Sequence, residues 1–167
     1  MTSLLLAAML AQPAVPVPAP GGAPLPAPAL PALSPDQGSV LRRALEEDCG
    51  VGEDPPLSVA VKNAGAALVP HLAAAAAAGH PDALADAVET AANRRYDILY
   101  PSGVPPAPAR AVYIKRQVVE SSLAYRQRAV RALGWIGGLA ATAALQAVAD
   151  PELKPYADLA LARLGVP

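Results

Sequence analysis

From residue 34 onward, apolar side chains recur at helical rather than strand spacing. Val40, Leu41, Ala44 and Leu45 share one stripe, while Arg42, Arg43, Glu46 and Glu47 occupy the remaining surface. Ser34, Pro35 and Asp36 stand where an N-cap, a first helical position and a first-turn acid belong, so a helix is predicted to open there and to stop at Gly50 and Gly52. A second helical region is predicted over 57–78, with a kink or break at Pro70, which removes a backbone donor and clashes with the preceding turn. After Pro81, residues Leu84, Val88, Ala91 and Ala92 repeat at helical spacing and predict a third helix. The stretch YPSGVPPAPA, residues 100–109, is too rich in proline and glycine for regular structure and reads as a surface loop. Residues 109–138 carry one long helix or two joined near Ser121 and Ser122, ended by Gly134, Gly137 and Gly138. Helices over Leu139–Ala149 and Leu153–Leu164 complete the pattern, with Asp150 and Pro151 between them and Gly165 behind.

The first 34 residues follow a different rule. Leu4 to Ala11 is a short apolar run followed by small residues, the pattern of a secretory signal, and it is far shorter than the ~20 residues that span a bilayer. Residues 1–11 are read as a signal peptide, without a transmembrane segment; no cysteine follows the run to accept a lipid anchor, so an exported product is expected to be soluble, periplasmic or secreted, whereas a disordered apolar N-terminus in place of a signal would leave the chain cytoplasmic. Residues 12–34 are so rich in proline and alanine that neither helix nor ladder can propagate, which predicts a disordered, semi-extended linker. One helical domain over 35–167, interrupted by the proline-rich loop at 100–109, is the expected organisation.

Composition sharpens the fold class. Hydrophobic residues make up 53% of the chain, yet alanine dominates them, phenylalanine is absent and aromatics are 4%. Each buried side chain therefore removes little apolar surface from water, and the core is expected to be close-packed and shallow. Alanine is the best helix former, while β-branched and aromatic residues are sparse, so the class is all-α. A net charge of -1 excludes a strongly basic protein that coats nucleic acid. The single cysteine, Cys49, cannot close an internal disulfide and reads as a buried or semi-buried thiol.

The segments RQRAVRALGWIG, GLAATAALQAVADPELKP and YADLALARLG carry a recurrent pattern. Ala132, Leu133, Gly134, Ile136 and Gly137 close one helix, Leu145, Ala149, Asp150 and Pro151 form the next helix and turn, and Ala162, Leu164 and Gly165 repeat the first ending about thirty residues on. This pattern resembles HEAT-like repeats of the phycobilisome-lyase type over residues 125–165. A weaker echo lies in NAGAALVPHLAAAA. The resemblance implies a short α-solenoid of antiparallel helix pairs used for binding. Because some relatives act on bilin pigments as lyases or isomerases, it also leaves an enzyme or enzyme subunit as the alternative, beside a purely structural domain with no specific ligand.

The chemistry-bearing residues are few. His71 and His80 are nine residues apart, which does not place two imidazoles on one helical face, so no metal site is expected. Ser58, Ser102, Ser121 and Ser122 lack a nucleophile elbow and a spaced histidine and acid. The acids Glu46, Glu47, Asp48, Glu53 and Asp54 are expected to splay into solvent. No phosphate loop or dinucleotide fingerprint is present, so neither catalysis nor a cofactor is expected. Charge segregation is more informative: acids gather early, whereas arginines gather later among tyrosines. Arg94, Arg95, Arg116, Arg126, Arg128 and Arg131, with Tyr113 and Tyr125, are therefore the candidate surface for an unidentified protein partner, with an acidic peptide, an anionic lipid head group or another polyanion as the ligands such a surface could hold. Against that reading stand ordinary solvated helix faces, with local pairs to Asp97 and Glu120. Trp135 reads as core or inter-repeat packing.

Overall fold

The computed structural model describes residues 29–47, 55–101 and 108–166. The signal-like start, residues 12–28 of the linker, Asp48, Cys49, Gly50, Gly52, Glu53, Asp54, Ser102 and the centre of the proline loop lie outside the described residues. Every regular element described is a helix: α1 (Pro35–Glu46), α2 (Pro55–Ala64), α3 (Val69–Ala78), α4 (Asp82–Leu99), α5 (Arg110–Ile136), α6 (Gly138–Gln146) and α7 (Lys154–Arg163), with a 3-10 turn over Gly65–Leu68. The all-α class follows from the alanine-rich pattern.

Helix α1 starts where its cap places it. Ser34 accepts from the Gln37 amide at 3.3 Å, and the Gln37 side chain accepts from the Ser34 amide at 3.0 Å, a reciprocal capping box with Pro35 in the first turn. The break expected at Pro70 falls earlier. Gly65 adopts φ +69°, the chain tightens into the 3-10 turn, and α3 restarts at Val69 with Pro70 in its first turn, where a missing amide costs no intrahelical bond. The stretch Pro56–Ala78 is long and apolar enough, by length and composition alone, to cross a membrane. Leu57, Val61, Leu68 and Leu72 of this stretch are fully buried in the core.

Of the alternatives for 109–138, the structure takes one continuous helix. Helix α5 runs 27 residues, about 40 Å at 1.5 Å per residue, straight through Ser121 and Ser122. It packs against every other helix and organises the molecule. Its second half buries Tyr125, Ala129, Val130, Ala132 and Leu133, which meet Leu145 of α6 and Leu153 before α7 in one core. Its first half packs against α4, where only Ala92 is buried.

Gly134 does not help to end α5, as expected, but lies inside it. A Cβ there would stand 2.9 Å from the Ala160 methyl of α7, so glycine is what lets these two helices approach. The helix ends two residues later, where Gly137 and Gly138 take φ +65° and +75° and turn the chain into α6.

Candidate functional site

The arginines gathered in sequence separate into two groups in space. Arg126 is 20% exposed; its Nε donates to the Ala76 carbonyl at 2.8 Å and its terminal nitrogen to Asp150 at 2.7 Å. Arg128 donates to the Leu45 carbonyl at 3.2 Å. Ala76 and Leu45 lie in the last turns of α3 and α1, where carbonyls lack intrahelical partners and the helix dipole is negative, so these guanidiniums cap two helices from the side of a third. Arg131, on the same half of α5, is half-buried. Tyr125 is 9% exposed, with its ring edge-on to His80 at 6.3 Å. Burial, and then the nearby Glu46 carboxylate, push its phenol above the usual tyrosine range. Arg126, Arg128 and Tyr125 thus tie neighbouring parts of the scaffold together.

The other group stands outside. Arg94, Arg95 and Arg116 are exposed along α4 and the first half of α5. Arg116 pairs with Glu120 at 2.7 Å and Arg110 with Asp97, the local pairs weighed against a binding surface in the sequence. Tyr113 belongs to a three-ring cluster with Tyr96 and Tyr100, at centroid separations of 5.0, 5.5 and 6.1 Å. Arg110 stacks over the Tyr96 ring at 4.8 Å, and the Tyr96 hydroxyl donates to the Pro108 carbonyl at 2.6 Å. The cluster clasps both ends of the proline loop.

Two clefts open on the surface. One, of about 320 Å³, lies between α3, α5 and α6; alanines 73, 76, 77, 144 and 147, with Leu133, Val148 and Leu153, form its walls, and the Arg126–Asp150 pair closes one side. Asp150 accepts first from the Glu152 amide at 2.8 Å and then from Arg126, and these bonds hold its carboxyl below the usual carboxylate range. The second cleft, of about 440 Å³, runs between α4 and α5 with Arg95, Gln117 and Glu120 on its walls. Sequence reasoning missed the first cleft, since its alanines come from helices far apart in the chain.

The remaining candidates fall into structural places. His71 Nε2 donates to the Pro31 carbonyl at 2.8 Å and ties the chain before α1 to α3. His80 sits at the α3–α4 boundary, with a buried Nε2 that has no hydrogen-bond partner among the described residues. Trp135 packs partly buried against the core. Among the described residues, no three His, Cys, Asp or Glu side chains gather as a metal site. What the described residues define is an all-α fold with an arginine-braced central helix and an alanine-walled groove. Comparison with protein-family models, with curated proteins and with solved structures finds no match.

Proposed function

We propose that the chain is a non-catalytic protein-binding module built from HEAT-like helix pairs and exported from the cytoplasm. In this reading α5 and α6 form one pair, and α7 opens the next unit by lying against α5. Two observations support it: the repeated Ala-Leu-Gly-type endings, and the close approach of α7 to α5 at Gly134, the small-residue contact that stacked repeats need. Export is supported by the apolar run before the proline-rich segment. Mass spectrometry of the mature chain from fractionated cells checks it: a cut near Ala11 outside the cytoplasm is expected, and an intact cytoplasmic product contradicts it.

The observation that carries the binding reading is the groove between α3, α5 and α6. Its alanine walls accept a partner's apolar side chains without a large desolvation cost, and the Arg126–Asp150 pair at its edge offers polar contacts already fixed in place. Affinity capture from envelope extract tests it, using the wild-type chain beside Ala77→Trp and Ala147→Trp, which fill the groove from exposed positions. Partners retained by the wild type and lost from both folded variants are expected. Identical retention by all three chains contradicts the proposal.

A further inference from the structure

We propose that the cleft between α4 and α5 binds a small organic carboxylate with an apolar body, of the class of a medium-chain fatty acid. This cleft is separate from the groove between α3, α5 and α6, and the inference does not depend on the groove's role.

One face of each helix builds the cleft. Val88, Ala91, Ala92 and Arg95 recur at i, i+3, i+4 and i+7 on α4, and Gln117, Glu120 and Ser121 at i, i+3 and i+4 on α5, so the two rows of side chains line one trough. Its volume of about 440 Å³ lies within the ~300–1,000 Å³ typical of small-molecule sites. Val88 is half-buried and Ala92 buried, and with Ala91 they give the trough an apolar wall of small side chains that leaves its space open. At 1.5 Å per residue, residues 88 to 95 cover about 10 Å of α4, long enough for a short alkyl chain to lie along the helix.

The polar groups on the walls select the charge of the ligand. Glu120 accepts from Arg116 at 2.7 Å through one carboxylate oxygen and from Gln117 at 2.9 Å through the other, so its charge is already met. Arg95 makes no hydrogen bond or ion pair among the described residues, and neither does the Ser121 hydroxyl. The uncommitted groups are therefore a guanidinium, whose forked donors match a carboxylate, and a hydroxyl. A cationic ligand would find no uncommitted acid on these walls. A carboxylate held at Arg95, with its apolar body over Ala91 and Ala92, uses both the charge and the apolar surface that the cleft offers.

Titration of the full-length chain with octanoate, followed residue by residue through its amide resonances, tests the inference. Saturable shifts at Ala91, Ala92, Gln117 and Ser121 are expected, with a Kd on the order of 1 mM. Octanol, which has the same body without the charge, should bind the wild type roughly fivefold more weakly, and octanoate should bind the Arg95→Gln chain weaker by about the same factor. The Arg94→Gln chain, altered at an exposed arginine off the cleft walls, should bind octanoate as the wild type does. Ala91→Trp fills the trough from an exposed position and should abolish the shifts at Gln117 and Ser121 with unchanged circular dichroism. Undiminished octanoate binding by Arg95→Gln, equal binding of octanol, or no saturable shift along the cleft overturns the proposal. So does a saturable response confined to Ala76 and Ala147, which would give the ligand to the groove instead.

Discussion

The missing side chain of Gly134 sets the distance between α5 and α7. Its would-be Cβ lies against the Ala160 methyl, an atom fixed to the backbone that cannot swing aside. Gly134→Ala gains about 1 kcal/mol of helix propensity but incurs an overpacking cost of about 1–3 kcal/mol. A net loss of about 1 kcal/mol is expected in urea unfolding, and Ala160→Gly in the same chain should recover the contact term. A more stable Gly134→Ala would contradict this packing. Asp150 makes a second prediction at this scale. Its carboxyl is held below the usual range chiefly by the Glu152 amide and then by Arg126, so its contribution is present above the ordinary carboxylate pKa near 4 and is lost as pH falls through the lowered value. The stability gap between wild type and Asp150→Asn should be constant near neutral pH and close on acidification; a gap that grows in acid would count against it. The roles of Arg126 and Arg128 were not legible in sequence. Their carbonyl partners lie 50 and 83 residues away, and an arginine that caps a distant helix has the same local pattern as one facing solvent.

At the scale of elements, helix starts were legible because their signals are local. Ser34, Pro35 and Gln37 act within one turn, and the structure uses all three. The break between α2 and α3 was misplaced because Pro70 is the louder signal, although Gly65, five residues earlier, is where the backbone takes a positive φ. Continuity of α5 through Ser121 and Ser122 was undecidable, since two serines weaken a helix by only tenths of a kcal/mol and packing decides. Packing also divides α5. On α4 only Ala92 is buried, and the tyrosine cluster adds an apolar clasp between α4 and the first half of α5. Hydrogen exchange should show α4 and residues 110–120 opening well before residues 125–136, and Tyr96→Ala should widen that difference while leaving the second half of α5 unchanged. Uniform protection along α5 would contradict a divided helix.

For the whole molecule, one helix touches all the others, an arrangement that no periodicity reports. The all-α class was legible because alanine content and spacing act everywhere at once, whereas the groove depends on which helices meet. The arginines that looked like one binding surface separate in space: Arg126 and Arg128 on the second half of α5 bond to carbonyls of α3 and α1, and Arg94, Arg95 and Arg116 are exposed on α4 and the first half of α5. The most direct test of the binding claim places a photocrosslinking amino acid at Ala147, on the groove wall, and at Glu89, exposed on α4, in the chain expressed in cells. The account predicts a discrete protein adduct from position 147 and none from position 89. No adduct from the groove, or the same adducts from both positions, would contradict it.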